Sequence, residues 1–154
     1  MENSTTGPGS NNPGNILASA VDSEVAKFRE LQSELNQLRS DLQLLRGQET
    51  ENEMVAAELD LHSSITGGED VGEPGPVYKM IGPVLMRQEF EDAQQTVKKR
   101  LEFIKEQRAS LESKIEQKEK DGDQLATKIQ QMQAHLQQTT ADAVRAIAQQ
   151  HATA

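Results

Sequence analysis

Apolar residues recur three and four apart over two long stretches, and a short run of a different kind separates them. In the first stretch Phe28, Leu31, Leu35, Leu38, Leu42 and Leu45 keep that spacing. It lays one narrow apolar stripe along an α-helix, the seam of a coiled coil. The frame then meets Glu49 and Asn52, and apolar character resumes at Met54, Val55, Ala56 and Leu59. In the second stretch Phe90, Val97, Ile104, Leu111, Leu125 and Met132 recur at sevens, and Leu101, Ile115, Ile129, Leu136 and Ala143 form the complementary set. Between the two, Val77 to Gln88 sets two short runs of bulky apolar residues around Gly82-Pro83. That is a strand-turn-strand signal.

The pattern predicts a mainly α fold, a long antiparallel two-helix coiled coil joined by a β-hairpin. At about 1.5 Å per residue, some forty paired residues make an arm on the order of 60 Å. The first helix is expected to start near Val21, with Asp22 or Ser23 as cap and Glu24 beside the positive helix end. It is expected to stop at Ile65, before the glycines and acids of the loop Thr66 to Pro76. The second is expected to start near Arg87. Gly-Pro is not a turn of Asn-Gly type, so a longer or irregular turn is expected between the strands. Arg87, Gln94, Arg108, Lys118 and Gly122 interrupt the second seam. Near the hairpin such residues suit a partner subunit, and fraying or a bend is expected at Gly122. The domain reading is a disordered tail over 1–20, the coiled coil with its hairpin (about 77–88) over 21–146, and a frayed tail over 147–154.

Composition narrows the function. The chain has 154 residues, 34% hydrophobic, 27% charged, 3% aromatic, with no Trp and no Cys. This suits a narrow helical seam, not a globular core. A net charge of -9 argues against general binding to nucleic acid or to anionic membranes. No disulfide, thiolate or cysteine-zinc chemistry is available. No apolar run is long enough to span a bilayer, and the start does not read as a signal peptide, so a cytoplasmic location is expected. Asn3-Ser4-Thr5 is then a chance match to the glycosylation pattern.

No residue constellation supports catalysis. His62, His135 and His151 lack metal-ligand spacing, and no phosphate-cradling or nucleophile-elbow motif occurs. A coiled coil has no pocket in which its carboxylates would be retuned. No enzyme activity, metal or cofactor is expected. Lys98-Lys99-Arg100 is the one basic cluster. Glu102 and Glu106 follow it without an aromatic platform, so a solvated face or an intersubunit charge contact is the better reading than an RNA grip.

Glu51-Asn52-Glu53-Met54-Val55-Ala56-Ala57-Glu58-Leu59, then Val77 through Gln88, then Thr96-Val97-Lys98-Lys99-Arg100-Leu101-Glu102-Phe103-Ile104 resemble the β-type subunits of prefoldin. The resemblance covers about residues 21–135. It implies a heterohexamer of two α-type and four β-type subunits, three of the β-type being further chains. In it hairpins join a β-barrel platform from which coiled coils hang. It implies capture of unfolded actin and tubulin at the coiled-coil tips without ATP, and transfer to the cytosolic group II chaperonin. It places subunit assembly on Val77, Tyr78, Met80, Ile81, Gly82, Pro83, Val84, Leu85 and Met86. It places client contact at Val21, Val25, Phe28, Leu125, Ile129, Met132 and Leu136, where Met132 has an adaptable thioether.

The residues alone reach the first assignment by another route. Two isolated strands are marginal in water, and these are apolar on both sides of the break, so the hairpin reads as an unfinished sheet that neighbours complete. The alternative is a structural coiled-coil tether or dimerisation module without client binding.

Overall fold

The computed structural model describes residues 13–66 and 76–152. The element order is α1 (Pro13–Thr66), β1 (Val77–Ile81), β2 (Val84–Gln88) and α2 (Phe90–Ala152). The fold is the mainly α helix pair with a small hairpin that the heptad pattern predicts. The loop expected over Thr66 to Pro76 lies mostly outside the described residues, as do residues 1–12 of the expected tail.

The helix bounds differ from the reading in three places. α1 opens at Pro13, not near Val21. Proline suits a first helical position, because its φ is already helical and its missing N–H is one that has no intrahelical partner there. Glu24 is therefore mid-helix and caps nothing. α2 opens at Phe90, because β2 continues to Gln88. The Glu89 carbonyl accepts the first bond, from the Ala93 N–H (3.1 Å), and Glu91 and Asp92 stand in the positive first turn. At its other end α2 runs on to Ala152, a stretch of Ala and Gln with high helix propensity.

The chain divides into two compact units. One joins the described residues up to Asn36 with those from Glu116 onward; the other is Gln37–Ile115. In each, α1 and α2 run antiparallel and share the seam. In the first unit Val21 and Glu24 are buried, and Leu35 is the most buried side chain described, at 2% exposure. Ile115, buried, continues the seam in the second unit, with Ile104 and Ala93.

The heptad frame does not break at Glu49 and Asn52. Both stay half-buried in register, followed by Ala56 and Leu59, whereas Met54 and Val55 lie exposed outside the seam. Partners across the seam explain why polar residues are tolerated. Arg108 Nε lies 2.8 Å from Glu49 Oε2, an ion pair in which the N–H is out of line for a hydrogen bond. Arg108 also pairs with Glu112, which Arg46 reaches at 2.9 Å. Gln94 donates to Asp60 (3.1 Å), and Lys118 pairs with Glu34. These interruptions of the second seam are thus satisfied within the chain; Arg87 is exposed.

The helix passes through Gly122 without interruption, against the expected bend. Gly122 is buried, and a Cβ there would stand 3.2 Å from Leu31 Cδ2. The glycine lets the helices approach. Gly47 has nothing within 4 Å of the same point. Gly47→Ala should therefore raise stability by about 1 kcal/mol through helix propensity. Gly122→Leu should cost about 1–3 kcal/mol by overpacking. Urea unfolding of the two variants checks both signs.

Candidate functional site

The hairpin is antiparallel and in register, with Val77 opposite Gln88, Tyr78 opposite Arg87, Lys79 opposite Met86, Met80 opposite Leu85 and Ile81 opposite Val84. The turn is a tight two-residue one, not the longer turn expected. Gly82 has φ +57°, the sign that a type II′ turn demands at its first central position. Its second central position takes a negative φ, which a proline ring supplies. Pro83 lacks an N–H, but that position makes no ladder bond.

Opposed residues point to the same face. One face carries Val77, Lys79, Ile81, Val84, Met86 and Gln88; the other carries Tyr78, Met80, Leu85 and Arg87. Tyr78, Met80, Ile81, Val84, Leu85 and Met86 are 51 to 72% exposed, Gly82 and Pro83 are exposed, and Val77 is half-buried at the base. Both faces thus carry apolar side chains that are more than half exposed beyond the base. The edges are open as well. In a two-residue hairpin the closing pair is hydrogen-bonded, and bonded and non-bonded pairs alternate from there. Met80, Leu85, Tyr78 and Arg87 therefore turn their N–H and C=O groups outward, available to a further strand.

At the base of the hairpin an open groove of about 720 Å³ is lined by residues from all four elements, among them Ser63, Val77, Arg87 and Phe90. His62 packs its ring against Phe90 (centroids 5.9 Å). It is half-buried. Among the described residues no group of three or more His, Cys, Asp or Glu could hold a metal ion, and no helix is long and apolar enough to cross a membrane.

The residues assigned to client contact all lie in the unit that holds both helix ends. Val21 is buried, and Val25, Phe28, Leu125, Ile129, Met132 and Leu136 are half-buried, so they form the seam there. Beside them are apolar side chains that the sequence reading passed over. Ile16, Val144 and Ile147 are each more than half exposed. Glu24 meets Lys128 (3.1 Å), so α2 beyond about Thr140 extends past the described start of α1. Every described residue from Thr140 on is exposed. A groove of about 640 Å³ there is lined by Leu136, Gln137, Thr140, Ala141, Val144 and Arg145. Leu136, Thr140, Val144 and Ile147 share one helix face, which is the signal that would have found them.

Glu24 is the charged group that organises this end. Hydrogen bonds from Lys27 (2.9 Å) and then Lys128 hold its carboxyl below the ordinary 4.5. A depressed carboxylate stabilises the fold above its unfolded value, and the contribution is lost as pH falls through the lower folded value. Glu24→Gln should therefore lower the melting temperature at pH 7, with the difference from wild type vanishing once pH drops below that depressed value. Melting curves of the two chains from pH 7 down to strong acid read this. On the alkaline side, the hydrogen bond to Glu34 raises Lys118 above 10.5.

Two long helices joined by an exposed apolar hairpin define a helical coiled-coil class of protein. Comparison with known proteins gives the family. The sequence profile described as "Prefoldin subunit" matches residues 22–136. Prefoldin subunit 6 of Mus musculus is 32% identical over 126 residues, which is 82% of this chain and 92% of that one. Probable prefoldin subunit 6 of Caenorhabditis briggsae is 34% identical over 82% of this chain and 91% of its own length. Prefoldin subunit 6 of Saccharomyces cerevisiae is 33% identical over 68% and 83%. The chain belongs to the prefoldin subunit family. It is a prefoldin-type chaperone subunit, and that membership implies association with other prefoldin subunits.

Proposed function

We propose that this chain is a β-type subunit of a cytoplasmic heterohexamer with two α-type and three further β-type prefoldin subunits. The complex works as a co-chaperone without ATP, enzyme activity or cofactor. It holds unfolded actin and tubulin and delivers them to the cytosolic group II chaperonin. The observation that carries the reading is the hairpin, exposed and apolar on both faces with open edges, in a chain of this family. Val77, Tyr78, Met80, Ile81, Gly82, Pro83, Val84, Leu85 and Met86 make the assembly contacts.

Client contact falls to the helix ends. The seam residues Val21, Val25, Phe28, Leu125, Ile129, Met132 and Leu136 become available as the ends open, and the exposed Ile16, Val144 and Ile147 extend that surface. A tether without clients would need no apolar side chains exposed there. The experiment follows aggregation of a denatured client with the hexamer carrying this chain either whole or cut back on both helices to the level of Leu31 and Gly122. The shortened form should lose protection; full retention overturns the assignment of client contact.

A further inference from the structure

The α1 seam carries a charge near its outer end. Leu17, Val21, Glu24, Phe28, Leu31 and Leu35 alternate four and three apart, so the heptad frame puts a carboxylate where it calls for an apolar side chain. The structure seats it there. Glu24 is 8% exposed, the one buried charged residue among those described. Lys27 reaches it from the same helix at 2.9 Å, and Lys128 from across the seam at 3.1 Å. Both lysine side chains are themselves more than half exposed, so the ammonium groups meet the carboxylate from the rim of the seam.

Two turns further in, the helices are held by different means. Leu35 is almost inaccessible, and Leu31 lies over the bare backbone of Gly122, 3.2 Å from where a Cβ would stand. Parting these residues from α2 would put apolar surface into water with nothing to offset it. Parting Glu24 from Lys128 is different in kind. Closing the seam strips water from the carboxylate, and that desolvation opposes most of the attraction to the lysines. Opening the seam returns the water. The carboxylate is thus satisfied in both states, by two ammonium groups when closed and by water when open. The end beyond Leu31 therefore parts more readily than the seam below it. The surface that parting uncovers includes Val21, which is buried, and Phe28, Leu125 and Ile129, which are half-buried.

We propose that Glu24 is the positioning residue of a gate at the helix ends. Its ion pair with Lys128 holds the last turns closed, and exchange of that pair for water opens the seam to an apolar segment of an unfolded chain. This rests on the reading that client contact falls to the helix ends, and it states what regulates that contact. A leucine in place of Glu24 would complete the seam and keep the end shut.

The test uses hexamers carrying the full-length chain as wild type, Glu24→Leu, Glu24→Lys, Lys128→Glu, or Glu24→Lys with Lys128→Glu. Leu, Lys and Glu have similar helix propensity, and the hairpin is untouched, so native mass should equal wild type throughout. Hydrogen exchange reads the gate directly, because a helix parted from its partner frays. Amides around Val21 and Leu125 should exchange about tenfold more slowly in Glu24→Leu, the scale of replacing a buried ion pair by apolar packing. They should exchange faster in each single charge variant and return towards wild type in the double one. Capture scales with the fraction of ends that are open. Glu24→Leu should therefore need up to about tenfold more hexamer to keep chemically denatured actin soluble. Both single charge variants should need less than wild type, although they change the charge of the end in opposite directions.

A merely structural Glu24 would give the reverse, since the more stable and more apolar Glu24→Leu would capture at least as well as wild type. Exchange unchanged in Glu24→Leu, a double variant as open as the single ones, or capture that does not fall in Glu24→Leu each overturns the gate. The hexamer with the chain cut back to the level of Leu31 and Gly122 separates the two levels. Full protection by that hexamer removes the client reading and the gate with it. Lost protection there, with Glu24→Leu capturing as wild type does, removes the gate alone.

Discussion

Leu85→Pro is expected to abolish incorporation of the chain into the hexamer while its helix content stays near wild type. Leu85 lies opposite Met80 in a pair whose N–H and C=O groups point to the open edges. Proline there leaves the internal ladder of the hairpin its bonded pairs, Ile81 with Val84 and Lys79 with Met86. It removes the outward N–H, and its ring obstructs an approaching strand. The lost bond is one that only a neighbouring subunit would make. The helices hold their own seam through Leu35, Ile104 and Ile115, so circular dichroism should change little. Native mass measurement of the co-purified subunits reads the result. Tyr78→Pro strikes the other edge and should behave alike. A hexamer of unchanged mass and yield would show that assembly does not use these edges.

Removing the helix ends is expected to have the second large effect. Each end offers a modest apolar surface, with Val144 and Ile147 exposed and Phe28, Leu125 and Met132 half-buried. An exposed aliphatic side chain that becomes buried against a client contributes about 1.5–3 kcal/mol, and a few such contacts bind only weakly. Several ends held on one platform act together. Linked sites gain about 10²–10⁴ in avidity over single ones, so losing one end removes its own contacts together with its share of that gain. Capture should fall by at least about tenfold on that basis. The helix face through Leu136, Thr140, Val144 and Ile147 makes a finer probe. Its outer members support no seam, so Val144→Ser with Ile147→Ser should weaken capture without lowering the melting temperature.

Much of the fold was legible because the heptad spacing is a direct image of the seam. Leu31, Leu35, Leu38 and Leu42 follow it on one helix, and Leu101, Ile104, Leu111 and Ile115 on the other. The hairpin bounds were legible for a similar reason, since the apolar run breaks at Gly82-Pro83. What stayed hidden depended on the partner across the seam. Glu49 read as an interruption until Arg108 stood beside it, and Met54 read as seam because nothing local marks its side of the helix. Gly122 read as a defect, although the approach of Leu31 requires its missing side chain. The turn was misread by weighing its dipeptide against Asn-Gly, when a positive φ at Gly82 followed by a ring-fixed φ at Pro83 closes it tightly. At the helix ends the assignment followed seam periodicity. The shared face of Leu136, Thr140, Val144 and Ile147 was there to be found in α2, but their exposure depends on where α1 stops covering α2.

The central claim is that this chain holds unfolded protein at its helix ends while its hairpin holds it in a larger complex. The most direct test measures aggregation of chemically denatured actin, diluted into buffer without ATP, in the presence of hexamers containing either the intact chain or the chain cut back to the level of Leu31 and Gly122. Native mass should first show that both hexamers form. The intact complex should keep actin soluble at near-stoichiometric amounts, and the shortened complex should need at least about tenfold more. Equal protection by the two would contradict the claim.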